Sequence, residues 1–310
     1  MPLLSNRRLI LAKTETTYGT DPVPTGAVNA ILVRNLDITP QDADYANRDL
    51  VRPYLGRSEQ LPASIRSKVS FEVEMCGSGA AGTAPQWGPL LKACGFGETI
   101  VASTSVTYAP VSASFSSVAI YFQVDGVQHK VLGARGTASF SLKRREIPVI
   151  KFEFTGLYSA VTDTALASPT YNATKPLPVN NVNTTGFALH GYAGVLSDLS
   201  IDMAMTVVHR DLVGGTQSVL ITDREPTGSI SIEAVTVATK DLWTIAQNAT
   251  LGALALTQGT VAGNKVAISS SNVQLTNPSY TDQDGVQLLK LDMNFVPSTA
   301  GNDEISIICT

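Results

Sequence analysis

Residues 66–96, RSKVSFEVEMCGSGAAGTAPQWGPLLKACGF, carry the pattern of a strand, a glycine loop and a short helix. Between Val69 and Cys76 apolar and polar residues alternate, as in a strand with one buried and one solvated face. Further on, apolar residues recur at the spacing of one helix face: Trp87, Leu90, Leu91 and Cys94. Pro85 suits a first helical turn and Gly95 suits a left-handed C-cap, so both ends of the predicted helix have a physical cause.

The same plan returns in TGSISIEAVTVATKDLWTIAQNA, which begins at Thr227. The two tryptophans of the chain, Trp87 and Trp243, fall in the matching helices. Upstream of each copy stands the tetrapeptide Arg-Asp-Leu-Val, at residues 48–51 and 210–213. Because tetrapeptide, strand and helix recur in one order at nearly one spacing, we infer an internal duplication into two units of about 150 residues, a common domain size.

The duplication predicts a mainly β protein with two tandem domains, each with one short flanking helix. Residues 1–30 hold turn formers with little apolar periodicity and are predicted to be an N-terminal arm. The first β domain is expected at 31–160 and the second at 186–310. The segment 161–185, rich in Pro, Asn and Thr, is the predicted linker. Further strands are expected in the first domain at residues 101–111, 117–124, 127–132, 136–143 and 149–158.

Residues 39–65 have the composition of a long loop, with three prolines, charges of both signs and no sustained periodicity. Loops of this length inside a compact domain are uncommon and usually functional. We therefore expect this loop and the matching tetrapeptide of the second unit to contact a neighbouring subunit through ion pairs. The residues concerned are Arg48, Asp49, Arg52, Arg57, Glu59, Arg210 and Asp211. The alternative is a mobile, solvated loop.

Composition narrows the class of protein. Charged residues make up 15% of the chain, against roughly 25% in an average globular protein, as expected when subunit contacts cover much of the surface. The net charge of −4 gives no basic footprint for tight nucleic-acid binding. A protein that lets DNA pass without holding it could share that balance. The apolar run after Arg7 and Arg8 is too short for a signal peptide, and no stretch is long enough for membrane insertion, so a soluble, non-secreted protein is expected.

The cysteines and histidines show no metal-binding spacing. Cys76, Cys94 and Cys309 form no CxxC pair and leave an odd cysteine, so we expect small buried residues in a reducing cytoplasm. His129, His190 and His209 have no second histidine at ligand spacing, and no metal site is predicted.

Residues 77–82, GSGAAG, match a dinucleotide-binding pattern, since they follow a predicted strand and precede a helix. The context argues against that function. The strand alternates, whereas the first strand of a dinucleotide fold is buried on both faces, and no series of βαβ units surrounds the loop. A flexible connecting loop is expected instead. No motif of a hydrolase, a metalloprotease or a phosphate-binding loop occurs, so no catalytic residue and no cofactor are predicted.

Four stretches, taken in their order along the chain, resemble one known family: residues 71–96, TYAPVS at 107–112, DGV and GARGT within 125–137, and FEFTGLY at 152–158. The family is the major tail tube proteins of long-tailed, siphovirus-type bacteriophages, particularly Mu-like relatives. The resemblance covers nearly the whole chain. It implies tail-tube-type β-sandwich or half-barrel domains, whose inner sheets join around a ring into a continuous hollow barrel.

The resemblance also implies a structural role without catalysis. Rings stack into a tube through which DNA is ejected. Most family members have one unit and form hexameric rings, so two units per chain predict a homotrimeric, pseudo-sixfold ring, with a homohexamer as the alternative. The implied partners are further copies of the chain and the tape measure, distal and terminator proteins, with DNA only in transit. The implied location is the virion tail, after assembly in the host cytoplasm.

The lumen of such a tube should be negative or neutral, because positive side chains would hold phosphates. Candidate lumen residues on the polar faces of the two matched strands are Glu72, Glu74 and Glu233. Two other classes stay open: a two-domain β-sandwich adhesion protein that binds carbohydrate, and a nucleotide-binding enzyme that uses residues 77–82. The first predicts surface aromatics and a signal peptide, neither of which is evident, and the second predicts nucleotide binding.

Overall fold

The computed structural model describes residues 2–310, which form nineteen strands and three short helices. The strands of the first part are β1 Arg8–Thr14, β2 Ala30–Ile31, β3 Arg34–Ala46, β4 Leu61–Glu74, β5 Phe96–Val101, β6 Ser105–Pro110, β7 Val118–Val124, β8 Val127–Lys143, β9 Val149–Tyr158 and β10 Thr162–Asp163. Those of the second part are β11 Thr184–Leu189, β12 Leu196–Asp202, β13 Met205–Arg210, β14 Ser218–Arg224, β15 Thr227–Glu233, β16 Leu251–Gln258, β17 Val266–Gln283, β18 Val286–Phe295 and β19 Ser306–Cys309. The helices are α1 Gly26–Asn29, α2 Gly88–Ala93 and α3 Leu242–Gln247.

Strands hold 51% of the chain and helices 5%, so the predicted mainly β class is confirmed. Eight strands form one continuous antiparallel sheet through both halves, in the order β3–β4–β9–β8–β12–β15–β18–β17. The halves join where β8 pairs with β12, with Lys143 opposite Asp198 and Ser139 opposite Asp202.

The two halves repeat one strand order. In the first half it is β1–β7–β8–β9–β4–β3, and in the second it is β11–β16–β17–β18–β15–β12. In both halves a short helix follows the fifth strand of that order, as α2 follows β4 and α3 follows β15. This common order supports a division into two units, although the boundaries at 31–160, 161–185 and 186–310 stay predictions.

The core lies on the face of the sheet where the alternation places apolar residues. The ring of Phe71 in β4 lies 6.1 Å from the rings of both Phe152 and Phe154 in β9. Trp87, directly before α2, is 1% exposed and donates its indole N–H to the carbonyl of Cys76 at 2.9 Å. Packing of the Trp87 ring and the hydrogen bond of its buried N–H therefore hold the start of α2 in the core.

The predicted left-handed C-cap of this helix is present, since Gly95 has a φ of 78°. The start differs from the prediction. The helix begins at Gly88 with Pro89 in its first turn, whereas Pro85 accepts the hydrogen bond of the preceding turn through its carbonyl, from the N–H of Gly88 at 2.9 Å. The helix of the second half, α3, begins after Asp241, whose carboxylate accepts a hydrogen bond from the N–H of Thr244 at 2.9 Å.

Three predictions from local pattern need correction. Residues 39–65 are not one loop: residues 39–46 and 61–65 form the outer part of the β3–β4 hairpin, and residues 47–60 between them are the loop. The strand parts lack apolar alternation because most of their residues are exposed. Residues 101–111 are not one strand, because β5 and β6 form a hairpin that turns at Ser103, with a φ of 56°. Within the predicted N-terminal arm, β1 pairs along its whole length with β7 and buries its apolar run.

No helix within residues 2–310 combines the length and the apolar character needed to cross a membrane.

Candidate assembly and channel surface

The face of the eight-stranded sheet opposite the core is polar, because every second residue of its strands points away from the core. Carboxylates outnumber basic side chains on this face. The carboxylates belong to Asp37, Asp42, Asp44, Glu72, Glu74, Glu153, Asp198, Asp202, Glu233 and Asp292, and the basic side chains to Arg34, Arg66, Lys68, Lys143, Lys151 and Lys290.

The three glutamates predicted to face a channel all lie on this polar face. Glu72 stands opposite Lys151 on β9, Glu74 is its neighbour two residues on, and Glu233 ends β15. Glu72 accepts a hydrogen bond from the side-chain amide of Asn35 at 2.9 Å and forms an ion pair with Arg34 at 3.3 Å. Its charge is therefore partly neutralised within the chain.

Several basic side chains near this face are held by carboxylates. The ammonium of Lys151 lies 2.5 Å from Glu153, and that of Lys68 lies 2.8 Å from Asp42. The hydrogen bond to Glu153 raises the pKa of Lys151, and the hydrogen bond from Lys68 is the largest contribution that lowers the pKa of Asp42. An approaching polyanion would meet cations that already have partners, which weakens phosphate binding.

The sheet has two free edges. Within the described residues, β3 pairs only with β4. The outer half of β17, from Leu275 to Gln283, pairs only with β18, because its pairing with β16 stops at Gln274. Edge strands with unpaired N–H and C=O groups are natural sites for pairing with another chain.

Five of the predicted contact residues lie at the tip of the β3–β4 hairpin, where the structure brings three of them together. Glu59 forms ion pairs with Arg48 and, at 3.7 Å, with Arg52. Asp49 and Arg57 have no ion-pair partner within residues 2–310. Two ion pairs among these residues are therefore internal to the hairpin, and contact with a neighbouring subunit stays a prediction. Val51 and Leu55 beside them are fully exposed, at 104% and 103%.

The remaining two predicted residues lie at the tip of the β13–β14 hairpin. Arg210 ends β13 and is exposed, and Asp211 accepts a hydrogen bond from Gln217 at 3.0 Å. The two copies of the tetrapeptide thus occupy the tips of corresponding hairpins, since β3 and β4 correspond to the strand pairs β12–β13 and β14–β15. Within residues 2–310, β13 and β14 pair only with each other, as a separate two-stranded sheet, which sequence spacing alone could not show.

The β13–β14 hairpin is fastened to the first half of the chain. The guanidinium of Arg135 donates to the carbonyl of Val219 at 2.8 Å, and the N–H of Val219 donates to the hydroxyl of Tyr18 at 2.6 Å. Arg224 donates to the buried carboxylate of Glu304 at 2.9 Å and to the carbonyl of Val111 at 2.7 Å. Sequence analysis did not identify this cluster, because its members come from five distant segments.

The glycine loop at residues 77–82 is not a free loop. The N–H of Gly79 donates to the carbonyl of Gly263 at 2.9 Å, and that of Gly77 donates to the side chain of Asn264 at 3.0 Å. A Cβ on Gly77 would lie only 2.1 Å from the carbonyl oxygen of Gly263. The loop therefore serves close packing between the two halves, and N–H groups that a dinucleotide would need are occupied. The predicted flexible connection is a packed one.

Burial shifts the pKa values of the cysteines and of two histidines. Burial raises the pKa of the Cys76 thiol to about 11 and that of Cys309 to about 12, which disfavours thiolates. Burial lowers the pKa of His129 and of His190. Across residues 2–310, no three His, Cys, Asp or Glu side chains cluster as metal ligands would.

A family model described as phage tail tube protein matches residues 5–297 of the chain. A comparison with curated proteins finds none that matches.

Proposed function

The chain belongs to the phage tail tube protein family, whose role is structural, and we propose that three copies close into a pseudo-sixfold ring. The rings stack into the hollow tube through which DNA passes during ejection. The observation that carries this proposal is the eight-stranded sheet, built from two halves of identical strand order and free at both ends. Joining free edges between copies satisfies their backbone groups, and a closed ring leaves no edge.

Three copies of this sheet give a barrel with a width suited to DNA. At a strand spacing of about 4.8 Å, three eight-stranded sheets have a circumference of about 115 Å, so opposite strands stand roughly 37 Å or more apart. Barrels of 16–18 strands already enclose an aqueous channel. A homohexamer of this chain would double the circumference, so the trimer is the proposal and the hexamer its alternative.

The polar face of the sheet is proposed to line the channel, because the opposite face is covered by the core. Glu72, Glu74 and Glu233 are then lumen residues, with basic neighbours such as Lys151 already paired. An excess of carboxylates repels phosphate, and paired cations bind it weakly, so DNA can slide without being held.

The tips of the two long hairpins are proposed to contact neighbouring copies. The charged residues there are Arg48, Asp49, Arg52, Arg57, Glu59, Arg210 and Asp211. The exposed Val51 and Leu55 add apolar surface, and exposed apolar groups at a hairpin tip are typical of a surface that another chain covers.

The proposed tube also implies which other proteins the chain contacts and where it is located. The chain would contact tape measure, distal and terminator proteins at the ends and along the inside of the tube, in the tail of a siphovirus-type, Mu-like phage. Assembly would take place in the host cytoplasm, before the tail joins the virion.

Negative-stain electron microscopy of the purified protein, over a range of concentrations, tests the proposal. Hollow tubes or rings with threefold class averages are expected. Class averages with six chains per ring would replace the trimer by the hexamer. Compact monomers at every concentration, even with isolated tail tips added as initiators, would contradict self-assembly into a tube.

A matched variant tests the hairpin contact in the same assay. Val51→Asp should reduce tube length, because a charge would enter the proposed contact, yet leave the free energy of unfolding unchanged, because Val51 is fully exposed. Tubes of unchanged length would show that this tip lies outside the contact.

A further inference from the structure

We propose that β3 of one copy pairs with the outer half of β17 of the next copy, in the register that β12 and β8 adopt inside the chain. This inference rests on the proposed ring and specifies its junction residue by residue. Ile38 then stands opposite Tyr280 of the next copy, and Asp37 stands opposite its Thr281.

The junction inside the chain provides the template. There β12 and β8 run antiparallel, with Leu199 opposite Leu142, Ser200 opposite Ser141 and Ile201 opposite Phe140. The leucine and isoleucine positions point to the core, and the serine pair points to the polar face. This junction links the first half of the chain to the second.

The free edge of β3 corresponds to the paired edge of β12. Each of these strands pairs on its other side with the corresponding strand, β4 for β3 and β15 for β12. Their sequences match in pattern, NLDIT at residues 35–39 and DLSID at 198–202. In both segments a Leu and an Ile two residues apart lie on the core side. The edge of β3 therefore corresponds to the edge by which β12 pairs with β8, but within the described residues no strand pairs with β3 there.

The outer half of β17 corresponds in the same way to the part of β8 that receives β12. Pairing of β8 with β7 ends at Ala134, and pairing of β17 with β16 ends at Gln274, which leaves the following residues open on that side. Ser139 stands opposite Lys151 on β9, and Ser279 stands opposite Lys290 on β18. From these serines onward, the two strands read Ser-Phe-Ser at residues 139–141 and Ser-Tyr-Thr at residues 279–281.

Applying the template gives five opposed pairs between copies: Asn35 with Gln283, Leu36 with Asp282, Asp37 with Thr281, Ile38 with Tyr280, and Thr39 with Ser279. Tyr280 is 58% exposed in the single chain and would be covered by Ile38, as Phe140 is by Ile201. The pair of Leu36 with Asp282 departs from the template, which has Leu142 there. Asp282 accepts a hydrogen bond from the N–H of Gly285 in the turn to β18 at 3.4 Å, so the two pairs nearest this turn should be weaker than those of Asp37, Ile38 and Thr39.

Cysteine crosslinking in assembled tubes tests this register. In the double variant Asp37→Cys with Thr281→Cys, the two thiols should face each other across each junction on the polar face, within the Cα distance that a disulfide needs. Mild oxidation should give a ladder on a non-reducing gel that ends at three chains. Asp37→Cys with Ser279→Cys is the offset control. It places the second thiol two residues away on the same face, about 7–8 Å in Cα distance, and should crosslink poorly.

The variant Ser141→Cys with Ser200→Cys serves as an internal standard, because its disulfide forms within one chain. It should lose its two added thiols without any new band. If Asp37→Cys with Thr281→Cys does not assemble, Thr39→Cys with Ser279→Cys replaces it and should give the same ladder.

The outcomes separate the inference from the proposed function. Crosslinks in the offset control instead, or in neither pair while microscopy shows intact tubes, would overturn the register and leave the ring standing. If the unmodified chain forms no ring or tube, the proposed function fails and the junction fails with it.

Discussion

The two halves of the chain have the same strand order but place their long hairpins differently. The β13–β14 hairpin is fastened to the first half by hydrogen bonds of Val219 with Arg135 and Tyr18 and of Arg224 with the carbonyl of Val111. Within the second half, Arg224 also pairs with the buried Glu304. The outer β3–β4 hairpin is held by its strand pairing and by side-chain hydrogen bonds and ion pairs within the hairpin itself, such as Arg66 with Asp42 at 2.8 Å. The same element thus has its partner surface within the chain in one half and lacks it in the other. We infer that the missing partner is the next copy.

The helices differ in a parallel way. α2 is covered by the β5–β6 hairpin, which follows it directly, whereas α3 continues into β16 without such a cover. Accordingly Trp87 is buried, while Trp243 is only partly buried and lies against the ring of Tyr280 at 5.3 Å. Corresponding positions therefore serve the core in one half and the surface in the other.

The largest expected contrast lies at the two tryptophans. Trp87→Ala should lower the free energy of unfolding by about 3–5 kcal/mol, because it leaves a cavity and removes the partner of the Cys76 carbonyl. Trp243→Ala should cost roughly 1 kcal/mol, since solvent already reaches the side chain. Urea denaturation of the unassembled chain measures both. Equal losses would contradict the view that Trp87 lies in the core and Trp243 at its margin.

The second contrast compares the ion pairs of the two hairpins. Arg224→Ala should destabilise by about 3 kcal/mol or more, because Glu304 would be left buried without its partner. The matched Arg66→Ala should change stability by only about 0–1 kcal/mol, as expected for pairs near the surface. Denaturation curves with unchanged slopes are needed for the comparison. A larger loss in Arg66→Ala would show that the outer β3–β4 hairpin is fastened in the single chain too.

The third contrast concerns Gly95 and Ala249, the residues that follow α2 and α3 and that both have a positive φ. Gly95 has a φ of 78°, and a Cβ there would lie 3.1 Å from the methyl group of Met205. Gly95→Ala should therefore cost about 1–2 kcal/mol. Ala249 has a φ of 50°, and Ala249→Gly should stabilise by about 0.5 kcal/mol, because relief of strain slightly exceeds the entropy cost of glycine. Thermal unfolding measures both, and a stabilising Gly95→Ala would refute the assignment.

The sequence predicts elements whose burial is one-sided. Val69, Phe71 and Val73 alternate because one face of β4 meets the core, and the spacing around Trp87 reflects one buried helix face. It does not predict the outer β3–β4 hairpin, because a strand exposed on both faces has no apolar period. The junction of β8 with β12 and the contact of the glycine loop with residues 263–264 depend on distant segments. Their local patterns carry no information about those partners.

The smallest expected effect is a pH dependence of the outer β3–β4 hairpin. Hydrogen bonds from Lys68 and then Arg66 lower the pKa of Asp42 below its ordinary 3.8, and Arg66 also lowers that of Asp44. A carboxyl whose pKa is lower in the folded state contributes stability above its unfolded pKa and loses that contribution as pH falls through the folded value. The contribution is therefore present at about pH 5.5 and is lost as pH falls below the ordinary 3.8 and through the folded pKa, so stability should be lower at about pH 3 than at about pH 5.5. In Arg66→Gln the fall should be smaller, whereas Lys290→Gln, on the same face of the other half, should leave it unchanged. Denaturation at the two pH values measures the difference, and equal falls in all three proteins would mean that these ion pairs do not stabilise the free hairpin.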